Sequence, residues 1–274
     1  IANGRPAAAY TTLNGELQFE RAENNDGSLW GGSQVLVASN SVTSFDIDLV
    51  LGQPAASFQR FDTGDLFYRR ASDVDGSAWG IERTIDNSSA SNVGSASSLE
   101  VINGLPAVSY RDQTNMSLVY CRSVDILGDA WGTLQVLGDT GNSGTVSHLI
   151  EVGGRPAVAF DSVFSAAFKR SDDNAGDAWP ASDLILDLAF TGPNIFGIGL
   201  YQNLPCIVYP ATSLQELRFV LAKDSEGSAW EAFETVTTLT TTFPLTGHML
   251  IVDGQPAIAW ANNSSDTINY ATYF

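Results

Sequence analysis

The sequence predicts an all-β chain folded as a six-bladed β-propeller of four-stranded antiparallel blades, and three observations predict it. A Gly-x-x-Trp turn comes five times, beginning at Gly27, Gly76, Gly128, Gly176 and Gly227, at intervals of 49, 52, 48 and 51 residues. A proline leading an apolar run that ends in an aromatic comes six times: Pro6 to Tyr10, Pro54 to Phe58, Pro106 to Tyr110, Pro156 to Phe160, Pro205 to Tyr209 and Pro256 to Trp260. Each interval holds four short strand-like segments, and a unit of that size buries its faces only by stacking on its neighbours. Five blades plus an extra hairpin is the geometric alternative.

The four strands of a blade, A to D, are each legible. Strand A is an alternating stretch closing in a turn dipeptide: Leu99 to Gly104 ends in Asn-Gly, His148 to Gly154 in Gly-Gly and His248 to Gly254 in Asp-Gly. Such pairs supply the positive φ of a tight hairpin. Strand B opens on its proline, where no ladder bond is lost. Its Ala and Val content suits a strand covered on both faces. Strand C carries Leu-x-aromatic-x-Arg, seen as Leu17, Phe19 and Arg21, then Leu66, Tyr68 and Arg70, then Leu118, Tyr120 and Arg122. The fourth blade keeps Phe168 and Arg170, the fifth has Leu221 in place of the arginine, and the sixth has Ile268, Tyr270 and Thr272. An arginine repeated at one register is expected to serve acidic turn residues or carbonyls. Between C and D lies an acidic turn, such as Asp73-Val74-Asp75-Gly76, whose Asp or Asn closes onto nearby amides. The tryptophan then starts strand D and is expected to pack over its own hairpin or against the next blade.

Six B strands, six C strands and five D strands give a last blade without its outer strand, and the first blade keeps only Ile1 and Ala2 of its strand A. The whole of 1–274 reads as one propeller domain. The chain opens without methionine, as a processed chain or a piece of a longer one would. The edge at Thr267 to Phe274 is a template for pairing with a neighbouring molecule.

Composition excludes more than it selects. Thirteen basic residues against 31 acidic ones give a net charge of −18, which repels nucleic acid and anionic lipid. No apolar run reaches the ~20 residues of a membrane span, so membrane insertion is not expected. Cys121 and Cys206 fall in different blades, Cys206 where other repeats carry alanine, so a disulfide is not expected. Low Lys and Cys with much Ser, Thr, Asn and Gly place the protein outside the cell or on its surface. The sequons at Asn87, Asn115, Asn262 and Asn263 are open to a glycosylating host.

The Gly-x-x-Trp turn with an acidic residue before it resembles the Asp-box turn of sialidase-type propellers, which lies between the third and fourth strands of a blade. The likeness covers all five turns. The aspartate shifts, however, standing three before glycine in Asp73 and Asp224 and one before it in Asp26 and Asp75. The activity of that family implies an arginine triad, a Tyr and Glu nucleophile pair and an acid. The arginine-rich motif near the N-terminus is missing, and the arginines present belong to the repeat. Glu20, Glu100, Glu151 and Asp112 offer carboxylate pairs only as any acidic chain does.

Alignment of the repeats sets Asp46, Ser98, His148, Gly197 and His248 at one point, the start of strand A. Strand A is innermost in propellers, so Asp46, His148 and His248, of blades two, four and six, form a candidate divalent-metal set at a channel mouth. The acidic turns, Asp73 and Asp75 among them, are a candidate for calcium. Otherwise no cofactor is expected. From these readings the expected function is a non-enzymatic extracellular recognition propeller binding carbohydrate or another cell-surface ligand at loops or inter-blade grooves. The alternatives are a self-assembling surface or filament protein that completes its last blade with a neighbour's strand, and a sialidase-like glycoside hydrolase.

Overall fold

Twenty-two strands form where the repeat places them, in a computed structural model that describes all residues except 39–41, 89–91, 139–142, 163–164, 188–194, 212–214, 239–246, 263–266 and 273–274. The first sheet is β1 (Ala7–Thr11), β2 (Leu17–Arg21) and β3 (Gln34–Val37). The second is β4 (Val42–Val50), β5 (Gln53–Arg60), β6 (Leu66–Arg70) and β7 (Arg83–Asp86). The third is β8 (Val93–Ile102), β9 (Leu105–Asp112), β10 (Ser117–Arg122) and β11 (Gln135–Gly138). The fourth is β12 (Ser147–Val152), β13 (Arg155–Ser162), β14 (Ser165–Arg170) and β15 (Leu184–Asp187). The fifth is β16 (Gly197–Tyr201), β17 (Leu204–Ala211), β18 (Glu216–Leu221) and β19 (Glu234–Thr238), and the sixth is β20 (Gly247–Val252), β21 (Gln255–Asn262) and β22 (Thr267–Thr272).

Every sheet is an antiparallel meander in chain order, and no α-helix occurs among the described residues. Six such sheets of three or four strands, the last with three, are the β-propeller fold class that the repeat predicts. The first sheet also has three strands, with only the Ala2 to Arg5 bridge beside them. The chain divides into two compact units, Ile1–Val136 and Leu137–Phe274. The sequon at Asn263, the final residues Tyr273 and Phe274 and the side chain of Asn262 lie outside what is described.

The B strands of the second to fourth sheets are covered on both faces, as their composition suits, with Pro54 to Gln59, Pro106 to Asp112 and Pro156 to Ser162 buried throughout, whereas that of the first sheet is not. The C strands bulge at one repeated place, between Leu17 and Gln18, Leu66 and Phe67, Ala166 and Ala167, and Leu217 and Arg218. Neighbouring sheets then bury their facing side chains. In the first unit Val50, Leu66 and Tyr68 pack with Val93, Leu99 and Tyr110. In the second, Phe168 packs with Ile207 and Tyr209, and Phe196 with Met249 and Trp260.

The tryptophan works as a two-way staple. Its indole N–H donates to the carbonyl of its own turn glycine, at 3.0 Å for Trp79, 3.1 Å for Trp131 and 3.0 Å for Trp230. Its ring meets the C-strand aromatic of another blade edge on: Trp79 on Phe19 at 5.4 Å, Trp131 on Tyr68 at 5.4 Å and Trp230 on Phe168 at 5.2 Å. That blade is the preceding one, not the next, because the C–D turn projects back over the sheet already laid down. Both cysteines are buried and free, and burial pushes each thiol up to about 12, which leaves them inert.

Candidate functional site

The conspicuous charged residues of the repeat are occupied in holding it together. In the second blade the Asp73 carboxylate accepts from the amides of Asp75, Ser77 and Ala78 at 2.9–3.0 Å and from the Ser77 hydroxyl at 2.8 Å. Asp125, Asp173 and Asp224 close their turns in the same way. For Asp224 the Ser228 hydroxyl is the largest influence, and for all four these donors hold the carboxyl below its ordinary value against the opposing effect of burial. Of the residues named above for calcium, Asp73 spends its carboxylate on its own turn, and Asp75 accepts from Asn3 and Arg21.

The repeated arginine behaves similarly. Arg21 donates from Nε to the Ala2 carbonyl and pairs with Asp75 at 2.5 Å. Arg170 donates to the Val152 carbonyl at 2.9 Å and lies 3.5 Å from Glu226, whereas Arg70 donates to Gln53. Arg155, Lys169, Arg170, Asp172, Asp183 and Glu226 line a cavity of about 350 Å³ in the second unit. Its counterpart in the first unit, about 120 Å³, is lined by the equivalent Tyr68, Arg70 and Asp129.

The register read from the repeats is the register formed. Asp46 lies opposite Ser57, Ser98 opposite Ser109, His148 opposite Ala159, Gly197 opposite Val208 and His248 opposite Ala259, each partner three residues beyond the B-strand proline. Of the candidate metal set, Asp46 stands in the first unit and the two histidines come together in the second, ring centroids 6.1 Å apart. Among the described residues no group of three or more His, Cys, Asp and Glu is placed to hold a metal ion. Half-buried His148 has Nε2 at 2.9 Å from the Ile195 carbonyl, and burial pushes its pKa down to about 4 against that bond.

Asp46 has a partner that sequence reasoning passed over. Asp48 follows two residues later on β4, so both side chains leave the same face of the strand. That face meets the third sheet: one Asp46 oxygen accepts from the Leu99 amide at 2.8 Å, and Val50 beyond packs with Leu99. The other oxygen accepts from the Ile47 amide at 2.8 Å. Burial raises the Asp46 pKa, with the two amides opposing. Burial also raises Asp48, to about 6, with the Asp46 charge adding to the rise and the Leu49 amide opposing it. Both remain partly accessible, and Asp48 lines a cavity of about 120 Å³ with Ile1, Ala2, Phe19 and Pro54. The signal was present as Asp46-Ile47-Asp48, two acids on one face of a strand otherwise fit for burial. Of the other carboxylates considered, Asp112 accepts from the Thr114 and Asn115 amides of its own turn, and Glu100 from the Val101 amide.

No protein-family profile matches this chain, and no curated relative does. Solved structures match its fold. A triple arginine-to-alanine mutant of AofleA from Arthrobotrys oligospora aligns with TM-score 0.60 at 12% identity, over 99% of this chain and 83% of its own. Trypanosoma rangeli sialidase in complex with sialic acid aligns with TM-score 0.58 at 12% identity, over 99% of this chain and 52% of its own. The Hadza microbial sialidase Hz136 aligns with TM-score 0.57 at 13% identity, over 96% of this chain and 64% of its own. This chain thus spans about half to two thirds of the sialidases it resembles. At such identity the likeness is one of fold.

The expectation of a non-enzymatic recognition propeller is corrected by these neighbours, two of which are sialidases. The expectation arose because the repeat absorbs the conspicuous arginines, aspartates and tryptophans, which leaves no short catalytic motif standing out in the sequence.

Proposed function

We propose that this chain is a propeller-type glycoside hydrolase with Asp46 and Asp48 as its carboxylate pair. The observation that carries this reading is the placement of two partly buried acids two residues apart on one face of β4, both with raised pKa. Glycosidic cleavage needs one carboxyl that keeps its proton and another that is charged. Asp48, raised to about 6, is the proton donor to the leaving oxygen at mildly acidic pH. Asp46 takes the part of the base on water: burial raises its pKa too, but two amide donors oppose that rise and favour its carboxylate form. Strand geometry sets their Cα atoms roughly 6.6 Å apart. The sialidases among the fold neighbours support carbohydrate as the substrate class.

The test is a panel of fluorogenic aryl sialosides, arabinofuranosides and xylosides. Turnover of at least one is expected, falling roughly 10²–10⁴-fold in Asp48→Asn and in Asp46→Asn, the usual weight of general acid and base catalysis. A folded wild-type chain inert toward the whole panel would overturn the reading.

A second reading concerns self-association and rests on the sixth sheet. In the second to fifth sheets, the third strand pairs with an outer fourth. Strand β22 has no such partner among the described residues, and Ile268 and Tyr270 on it are exposed. That edge is suited to a strand from a second copy.

A further inference from the structure

Both histidines of the chain stand on first strands of the second unit, two sheets apart, His148 on β12 and His248 on β20. The strand between them, β16, carries glycine at the same register. It is also packed tightly on β20: the Met249 amide donates to the Phe196 carbonyl at 2.9 Å. A Cβ on Gly197 would stand 3.1 Å from the Met249 oxygen and 3.2 Å from its Cβ. The middle strand therefore contributes no side chain at this level. Across the gap the imidazoles meet with ring centroids 6.1 Å apart and planes at 57°.

We propose that His148 and His248 form a two-histidine site for a divalent transition-metal ion of the copper and nickel class. Two imidazoles bound to one ion at about 2.1 Å each can stand at most roughly 6.4 Å apart between ring centres, so the observed separation sets them on nearly opposite sides of the ion, as tetragonal copper(II) and nickel(II) allow. The tautomer is fixed as well. A carbonyl oxygen can only accept, so the proton of neutral His148 lies on Nε2 toward Ile195, and Nδ1 keeps its lone pair. A ring held through its far nitrogen by a backbone carbonyl is the support that metal-bound histidines have. Imidazole selects these ions over calcium and magnesium, which prefer oxygen donors, and water fills the remaining positions. His248 is exposed, so the ion enters from solvent.

Copper(II) is the probe, followed by calorimetric titration and by electron paramagnetic resonance of the full chain. The expected result is one ion per chain, hyperfine splitting from two nitrogens, and affinity at least about tenfold weaker in both His148→Gln and His248→Gln. Calcium produces no heat. His248→Gln keeps the test decisive if His148→Gln perturbs folding, since His248 is exposed. Absence of copper and nickel binding to the wild type, or binding that His248→Gln leaves unchanged, overturns the proposal.

Discussion

Replacing Gly128 by alanine tests the turn staple against a control in the same unit. Gly128 has φ +79°, so any L side chain there costs about 1–2 kcal/mol in backbone strain. Its new Cβ would lie 2.4 Å from Cε1 and 2.7 Å from Cζ of Tyr68. That ring is 1% exposed and braced edge on by Trp131. Overpacking adds about 1–3 kcal/mol, for a sum of about 2–5. Gly104 has nearly the same φ, +76°, with nothing within 4 Å of its Cβ, so Gly104→Ala carries the strain alone, about 1–2 kcal/mol. Equilibrium urea unfolding read by tryptophan fluorescence resolves the difference, which at ~2 kcal/mol per molar is a midpoint gap of roughly 0.5–1.5 M. Equal midpoints for the two variants would refute the idea that the turn is locked against the preceding blade.

Two further outcomes follow from the same coordinates. Because Asp48 is raised from 3.8 to about 6, the folded chain binds its proton more tightly than the unfolded chain, so its contribution to stability is full below pH 4 and falls as pH rises to about 6. The lift corresponds to no more than about 3 kcal/mol, and Asp48→Asn should flatten this part of the stability curve and raise the melting temperature at pH 7; an unchanged pH slope would refute it. At the sixth sheet, light scattering should show association that grows with concentration and is lost in Ile268→Lys/Tyr270→Lys, whereas a monomer at all concentrations would exclude strand pairing between copies.

How much was legible varies with what fixed each residue. Backbone conformation and packing recur in every blade, so Gly76, Trp79, Pro54 and their copies announced the strands, the turns and even the common register of Asp46, His148 and His248. The direction of the tryptophan staple was not legible, since a side chain that reaches its neighbour leaves the same spacing whichever neighbour it reaches. Asp48 was missed for a related reason. It belongs to a single blade, and its raised pKa comes from burial, which no local pattern encodes; Asp46 beside it accepts from the Leu99 amide some fifty residues away. The Gly197 gap that lets two histidines meet likewise exists only once β16 and β20 are side by side.

The staple gives the chain a polarity. Trp79, Trp131 and Trp230 each lean on an aromatic that precedes them by 60 to 63 residues. A chain leaving the ribosome N-terminus first thus presents each indole to a platform already synthesised, so every joint can close as soon as its turn emerges. A blade added at the C-terminal end finds its seat ready, whereas one lost from the interior strands an indole on one side of the cut and an empty ring on the other.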